Sequence, residues 1–177
     1  MIKFKLIGFY EVALFMATLI VFSSSYKDKD PVLSDYVGTW VAVEYLATPD
    51  GFSWFRDNWT FTETTYSELI QIQLSNDKWV DYNSMKGSMT VNGKLMNFSI
   101  TEVGYPSFDT LTGLPTGEIK RYSAGSAVFE HYLLEIENSF KVSSEWIVSG
   151  NHLTNKTDDN FDGDYLDTGE TTVFIRQ

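Results

Sequence analysis

The chain has 177 residues, no cysteine, and a formal net charge of −11 at pH 7. Without disulfides the fold must be held by its hydrophobic core. The acidic balance argues against nucleic acid and anionic membrane surfaces, which attract basic patches. Aromatic residues make up 16% of the chain, a bias that suits pleated, half-buried strands.

Residues 1–25 read as an export signal. Lys3 and Lys5 form a basic start, 6–22 an apolar run, and Ser23, Ser24 and Ser25 a small-residue exit. Glu11 interrupts the run, whose 17 residues approach the ~20 that a bilayer span needs. Anchoring by an uncleaved N-terminal helix is therefore the alternative. No cysteine follows the run, so lipidation is excluded, and the expectation is a periplasmic or extracellular protein. Loss of Lys3, Lys5 and Glu11 removes one net positive charge and leaves −12 on the mature chain, a balance that favours a soluble monomer. Residues 26–35 then form a linker and lead-in turn, and 36–177 one domain. From Gly38 onward roughly 140 residues remain, enough for a real core.

In chain order, Asp30 and Pro31 predict an N-cap and first helical residue, with a single turn through Tyr36. Residues 39–46 predict the first strand. In 58–62, Trp59 and Phe61 alternate with threonines; in 67–74, Ile70, Ile72 and Leu74 share one face. Segments 88–91 and 94–101 flank Asn92-Gly93, a strong hairpin signal, with Met96, Phe98 and Ile100 on one face. The glycines and prolines of 103–120 predict a long loop. Residues 126–138 repeat apolar positions at three and four, which predicts a short helix with Ser126 near its cap. Phe140, Val142, Trp146 and Val148 share a further strand face, 152–156 returns, and 171–176 closes the set. Such alternation gives one wet and one buried face, as in a barrel or sandwich. The fold expected is all-β, an antiparallel up-and-down barrel of about eight strands.

Gly38-Thr39-Trp40 opens the first strand and Arg176 ends the last. If those strands pair, the guanidinium can lie across the Trp40 ring and seal one end of a barrel. This Gly-x-Trp start with a terminal arginine resembles the lipocalin and wider calycin families, bacterial lipocalin-like domains in particular. The resemblance implies a small barrel with a ligand cavity, a short helical turn plugging the closed end, and Gly38, Trp40 and Arg176 as its structural signature. A helix at 126–138 departs from the usual lipocalin order, in which the helix precedes the final strand.

If the alternating apolar faces point into one barrel, Phe61, Ile70, Ile72, Met96, Phe98 and Trp146 line its interior. An eight-stranded barrel can hold one small ligand or fill with side chains, and both readings fit these residues. No inward charge can be placed on the lining, and Glu44 and Glu145 are expected on outward, solvated positions, so the ligand expected is small and apolar. Asp158, Asn160 and Asp162 match the first, third and fifth positions of a calcium loop, with Gly163 at the sixth and Asp164 following. The twelfth position is Gly169, with Glu170 one residue late. A weak Ca²⁺ site and a solvated acidic hairpin tip both remain open. Enzyme signatures are lacking: there is no Cys nucleophile, nucleophile elbow, phosphate-cradling glycine loop or zinc pair of histidines. The expectation is a non-enzymatic binder of a small apolar molecule. An exported interaction or inhibitor module, acting through its loops, is the alternative.

Overall fold

A computed structural model of the protein describes residues 32–48, 51–137, 144–158, 165 and 170–177. A one-turn helix α1 (Leu33–Tyr36) leads into β1 (Gly38–Thr48), β2 (Gly51–Phe61), β3 (Thr65–Gln73), β4 (Trp79–Asn92) and β5 (Leu95–Phe108). Next come β6 (Pro115–Ser123), helix α2 (Ala127–Glu137), β7 (Ser144–Ser149), β8 (His152–Thr157) and β9 (Thr171–Arg176). The strands follow the order β4-β3-β2-β1-β9-β8-β7-β5, and a β4–β5 ladder joins the two ends. Eight antiparallel strands thus close an up-and-down barrel, which leaves no open edge in the ring. β6 pairs with the far half of β5 as a ninth strand outside the ring.

The alternation seen in the sequence sets the register. Trp40 pairs with Trp59, Trp59 with Glu68, and Glu68 with Met85. Because side chains change face at every residue, Trp40, Ala42, Glu44 and Leu46 point inward together. Phe55, Asp57, Trp59 and Phe61 of β2 match them, as do Tyr66, Glu68, Ile70 and Ile72 of β3. The Asn92-Gly93 hairpin forms as expected, with Asn92 paired to Leu95 and Gly93 at φ +61°, where a Cβ is disfavoured. α2 begins just past Ser126, whose hydroxyl accepts the Phe129 N–H at 3.3 Å. It lies between β6 and β7 rather than before the last strand.

One expectation is corrected: 103–120 is not a long loop. Residues 103–108 continue β5, 115–120 begin β6, and only 109–114 turn. The prolines fit because Pro106 borders a register shift and Pro115 opens a strand outside the ring. Gly104 allows a close approach, since a Cβ there would run into Ile119 and Ser84. β2 and β4 also start earlier than expected, at Gly51 and Trp79, through polar stretches that carry little alternation signal. Residues 1–25, the Asp30-Pro31 pair, Phe140 and Val142 lie outside the described residues.

α1 and the last strand meet at one end of the barrel. Tyr36 and Trp40 are fully buried there. The Trp40 indole donates to the Tyr36 carbonyl at 2.7 Å, and the Tyr36 hydroxyl donates to the Trp146 carbonyl at 2.7 Å. At the opposite end, β6 crosses close to β4: a Cβ on Gly117 would sit 3.6 Å from Val80, an inward residue of β4. α2 follows β6, with Phe129 buried and Tyr132 against Tyr105 of β5.

Candidate functional site

The barrel interior has two unlike halves. Near α1, Trp59, Phe61, Tyr66, Met96, Trp146 and Phe174 are buried in one cluster, with Phe98 packed against it. Ring centroids lie 5.3 Å apart for Trp59–Trp146, 5.5 Å for Trp59–Phe98 and 4.8 Å for Tyr66–Phe98, mostly in edge-on or tilted contacts. Farther from α1, the inward residues Glu44, Leu46, Phe55, Asp57, Glu68, Ile70 and Ile72 all keep accessible surface. An inward residue of a closed barrel is reached by water only through its mouth. On the β1–β3 side the interior above the aromatic floor is thus the less tightly packed part of the barrel, the cup, while the inward Val80, Met85 and Val103 of β4 and β5 are buried.

Of the residues expected to line a cavity, Phe61, Met96, Phe98 and Trp146 belong to the floor. Ile70 and Ile72 stand on the wall of the cup. All six are inward, and the register brings them together. His131 and His152 are exposed.

The lining also carries acid, which corrects the expectation of an uncharged interior. Glu44 is inward rather than solvated outside, flanked by the outward Val43 and Tyr45, which are about half exposed. Asp57 and Glu68 face the same space. The signal for them was present: stepping back by two from Phe61 and Trp59 reaches Asp57, and from Ile72 and Ile70 reaches Glu68. Glu145 does point outward, being adjacent to the inward Trp146 and paired with the exposed Leu95.

The Trp59 indole N–H donates to Asp57 Oδ2 at 2.9 Å, which fixes that carboxyl against the floor. Asp57 Oδ1 has no hydrogen-bond partner, nor have the Tyr66 hydroxyl and Asn155 Nδ2, although all three atoms are buried. Burial pushes Asp57 from 3.8 up to about 7; the Trp59 hydrogen bond works against the rise and the nearby Glu44 charge adds to it. Glu68 is held well above the ordinary carboxylate range, by burial first and then by Asp57. Glu68 keeps some accessible surface, yet its carboxyl is enclosed by protein. A group deep in a narrow cup has both properties, and the enclosure governs its charge. Burial also raises the Tyr66 phenol, with Glu68 and then Tyr132 of α2 adding to the effect.

No cation balances this acid among the described residues. The ion pairs found there, Lys86–Glu102 and Arg121–Glu102, both involve Glu102, whose partners are largely exposed. Arg56 points outward and lies over Trp79 at 4.2 Å, and Arg176 lies over Trp40. Among the described residues no three acidic or histidine side chains are gathered closely enough to hold a metal ion. Of the calcium-loop residues, Asp158 follows β8, while Asn160, Asp162 and Asp164 lie outside the described residues. A recess of about 460 Å³ on the outer wall is lined chiefly by Thr60, Thr62, Ser67, Lys86, Ser88 and Thr101. Tyr66 also borders it and alone among its lining residues carries an orphaned side-chain atom, but that ring packs inward on Trp59. Comparison with protein-family models and with curated proteins finds no match for this chain.

Proposed function

We propose that the protein is an exported, non-enzymatic carrier that binds a small, largely apolar molecule in its barrel, as the lipocalin-like proteins it resembles do. One observation carries this reading: beyond the aromatic cluster, β1–β3 present inward residues that keep accessible surface, with buried polar atoms lacking partners beside the cluster. Apolar walls with a few unpaired polar groups are the usual make-up of a ligand site. Such orphaned atoms cost roughly 1 to 3 kcal/mol each when nothing pairs with them, a cost that a ligand would offset. The test is a titration of the chain from residue 26 onward, which keeps α1, with the neutral apolar dye N-phenyl-1-naphthylamine. Saturable enhancement of dye emission with quenching of tryptophan supports the reading. Absence of saturation at micromolar protein overturns it.

A second reading has an observation of its own. Leu111 is 94% exposed at the β5–β6 tip, beside the half-exposed Phe108 and Leu114. Exposed apolar side chains gathered on one hairpin tip suit a contact with another protein. A pull-down from the source cell envelope that fails with Leu111→Ser and Leu114→Ser would support that role.

A further inference from the structure

We propose that the cup is selective for an organic cation: a protonated amine on an aromatic-sized apolar body, with the ammonium held by Asp57, Glu68 and the Tyr66 hydroxyl. This rests on the reading of the barrel as a ligand carrier and adds the chemical class of the ligand.

The argument starts from what is left unpaired. Tyr66 is 2% exposed, stacks on Trp59 with centroids 5.7 Å apart, and its hydroxyl has no partner. The indole against which it stacks is the one that holds Asp57 by its other oxygen. Asp57 therefore presents Oδ1, unpartnered, beside the edge of the same ring. Glu68 is two residues along β3 from Tyr66, on the same face and directly across from Trp59. Three acceptor-bearing side chains thus neighbour Trp59, and an ammonium has three N–H donors to give.

The charges favour the same class. The acids sit in an enclosed site with no cation beside them among the described residues. Attraction between opposite charges grows several-fold as the effective dielectric falls below that of water. A ligand cation displaces the protons that burial favours on these carboxyls and supplies in their place the counter-charge that the chain itself withholds. The rings of Trp59, Phe98 and Trp146 add a flat apolar bed, and aromatic faces also attract cations. A metal ion fits poorly, because no group of three acidic residues is gathered to ligating distance among the described residues. Asn155, paired across β7–β8 with Trp146, offers an unpartnered donor on the far side of the floor. A hydroxyl or carbonyl on the ligand body would meet it there.

The experiment compares phenethylamine with its neutral isostere 2-phenylethanol by calorimetry at pH 8, alongside the neutral dye. The expected result is amine binding about tenfold or more tighter than the alcohol. In Asp57→Asn/Glu68→Gln that preference disappears, with circular dichroism reporting a folded barrel. The neutral replacements keep the shape of both side chains, and Glu68→Gln alone serves as a milder second variant. Equal affinities for amine and alcohol in the native protein, or a preference that survives the double substitution, overturns the inference while dye binding keeps the carrier reading. If the native protein binds neither dye nor amine, both readings fall.

Discussion

The guanidinium carbon of Arg176 lies 4.2 Å from the centroid of the Trp40 ring, its register partner across the β1–β9 ladder. The same guanidinium donates to the carbonyls of Val37 at 3.2 Å and Asp35 at 2.6 Å. One side chain therefore binds the end of α1, the first strand and the last. Gly38 makes room for it, adopting φ +140° and leaving 3.5 Å between the place of a Cβ and the Arg176 Nη1 atom. Trp40→Ala is expected to cost about 3 to 5 kcal/mol in urea unfolding, the usual range for a buried ring. Arg176→Ala should cost less. Because the two act through one contact, the double variant should lose less than both single losses combined. Strict additivity would show that the stacking contributes nothing.

Asp57 gives the stability a definite pH dependence. Its folded pKa of about 7 lies above the ordinary 3.8, so the folded state holds the proton more tightly. Stability contributed by this group is complete below about pH 4, falls as pH rises from about 4 to 7, and is gone above. Glu68 shifts in the same direction and steepens the fall. Comparing melting temperatures of the native protein and Asp57→Asn between pH 4 and 8 isolates the effect. The native protein should lose more than the variant as pH rises. Parallel curves would mean that Asp57 titrates as a solvated carboxyl.

Which parts of this were legible in the sequence depended on contrast between neighbours. Trp59 and Phe61 against threonines, or Ile70 and Ile72 against glutamines, announce a strand and its inner face at once. Asn92-Gly93 announces its turn for a similar reason, being chemistry that few other structures use. The early part of β4, from Trp79 to Lys86, carries aromatic, polar and charged residues on both faces and a register shift between Ile70 and Gln71 on its partner. A bulge breaks the period of two that makes strands readable. Pro106 and Gly104 hid the far half of β5, since their effect depends on an unpaired edge and on a close neighbour, neither of which is local. The acids of the cup were hidden differently. Their positions followed from the alternation, but a carboxyl on an inward face contradicts the expectation that barrels bury apolar groups.

The β5–β6 tip offers a stability control. The Asp109 carboxylate accepts the N–H groups of Thr112 at 2.8 Å and Leu111 at 3.0 Å and the Thr112 hydroxyl at 2.9 Å. Those bonds hold its pKa below the usual carboxylate range and set the turn without help from the exposed Leu111 side chain. Leu111→Ser should change unfolding free energy by no more than about 0.5 kcal/mol. A larger loss would mean that Leu111 packs against something in solution, which analytical ultracentrifugation would reveal as self-association.

Filling the cup separates an open cavity from a packed core. Ile70 stands on the wall, half-buried and paired across the ladder with Asp57. Ile70→Trp adds a bulky ring directed inward. If the space is open, the ring enters it, stability changes by less than about 1 kcal/mol, and dye affinity drops about tenfold or more. If side chains already fill the barrel, overpacking should instead cost about 1 to 3 kcal/mol. Ser67→Trp is the control: it lies on the same strand but faces outward and is exposed, so it adds an equal ring without entering the barrel. Dye binding should survive there unchanged. Loss of binding in both variants would place the dye on the outer wall, near the recess that Ser67 helps to line.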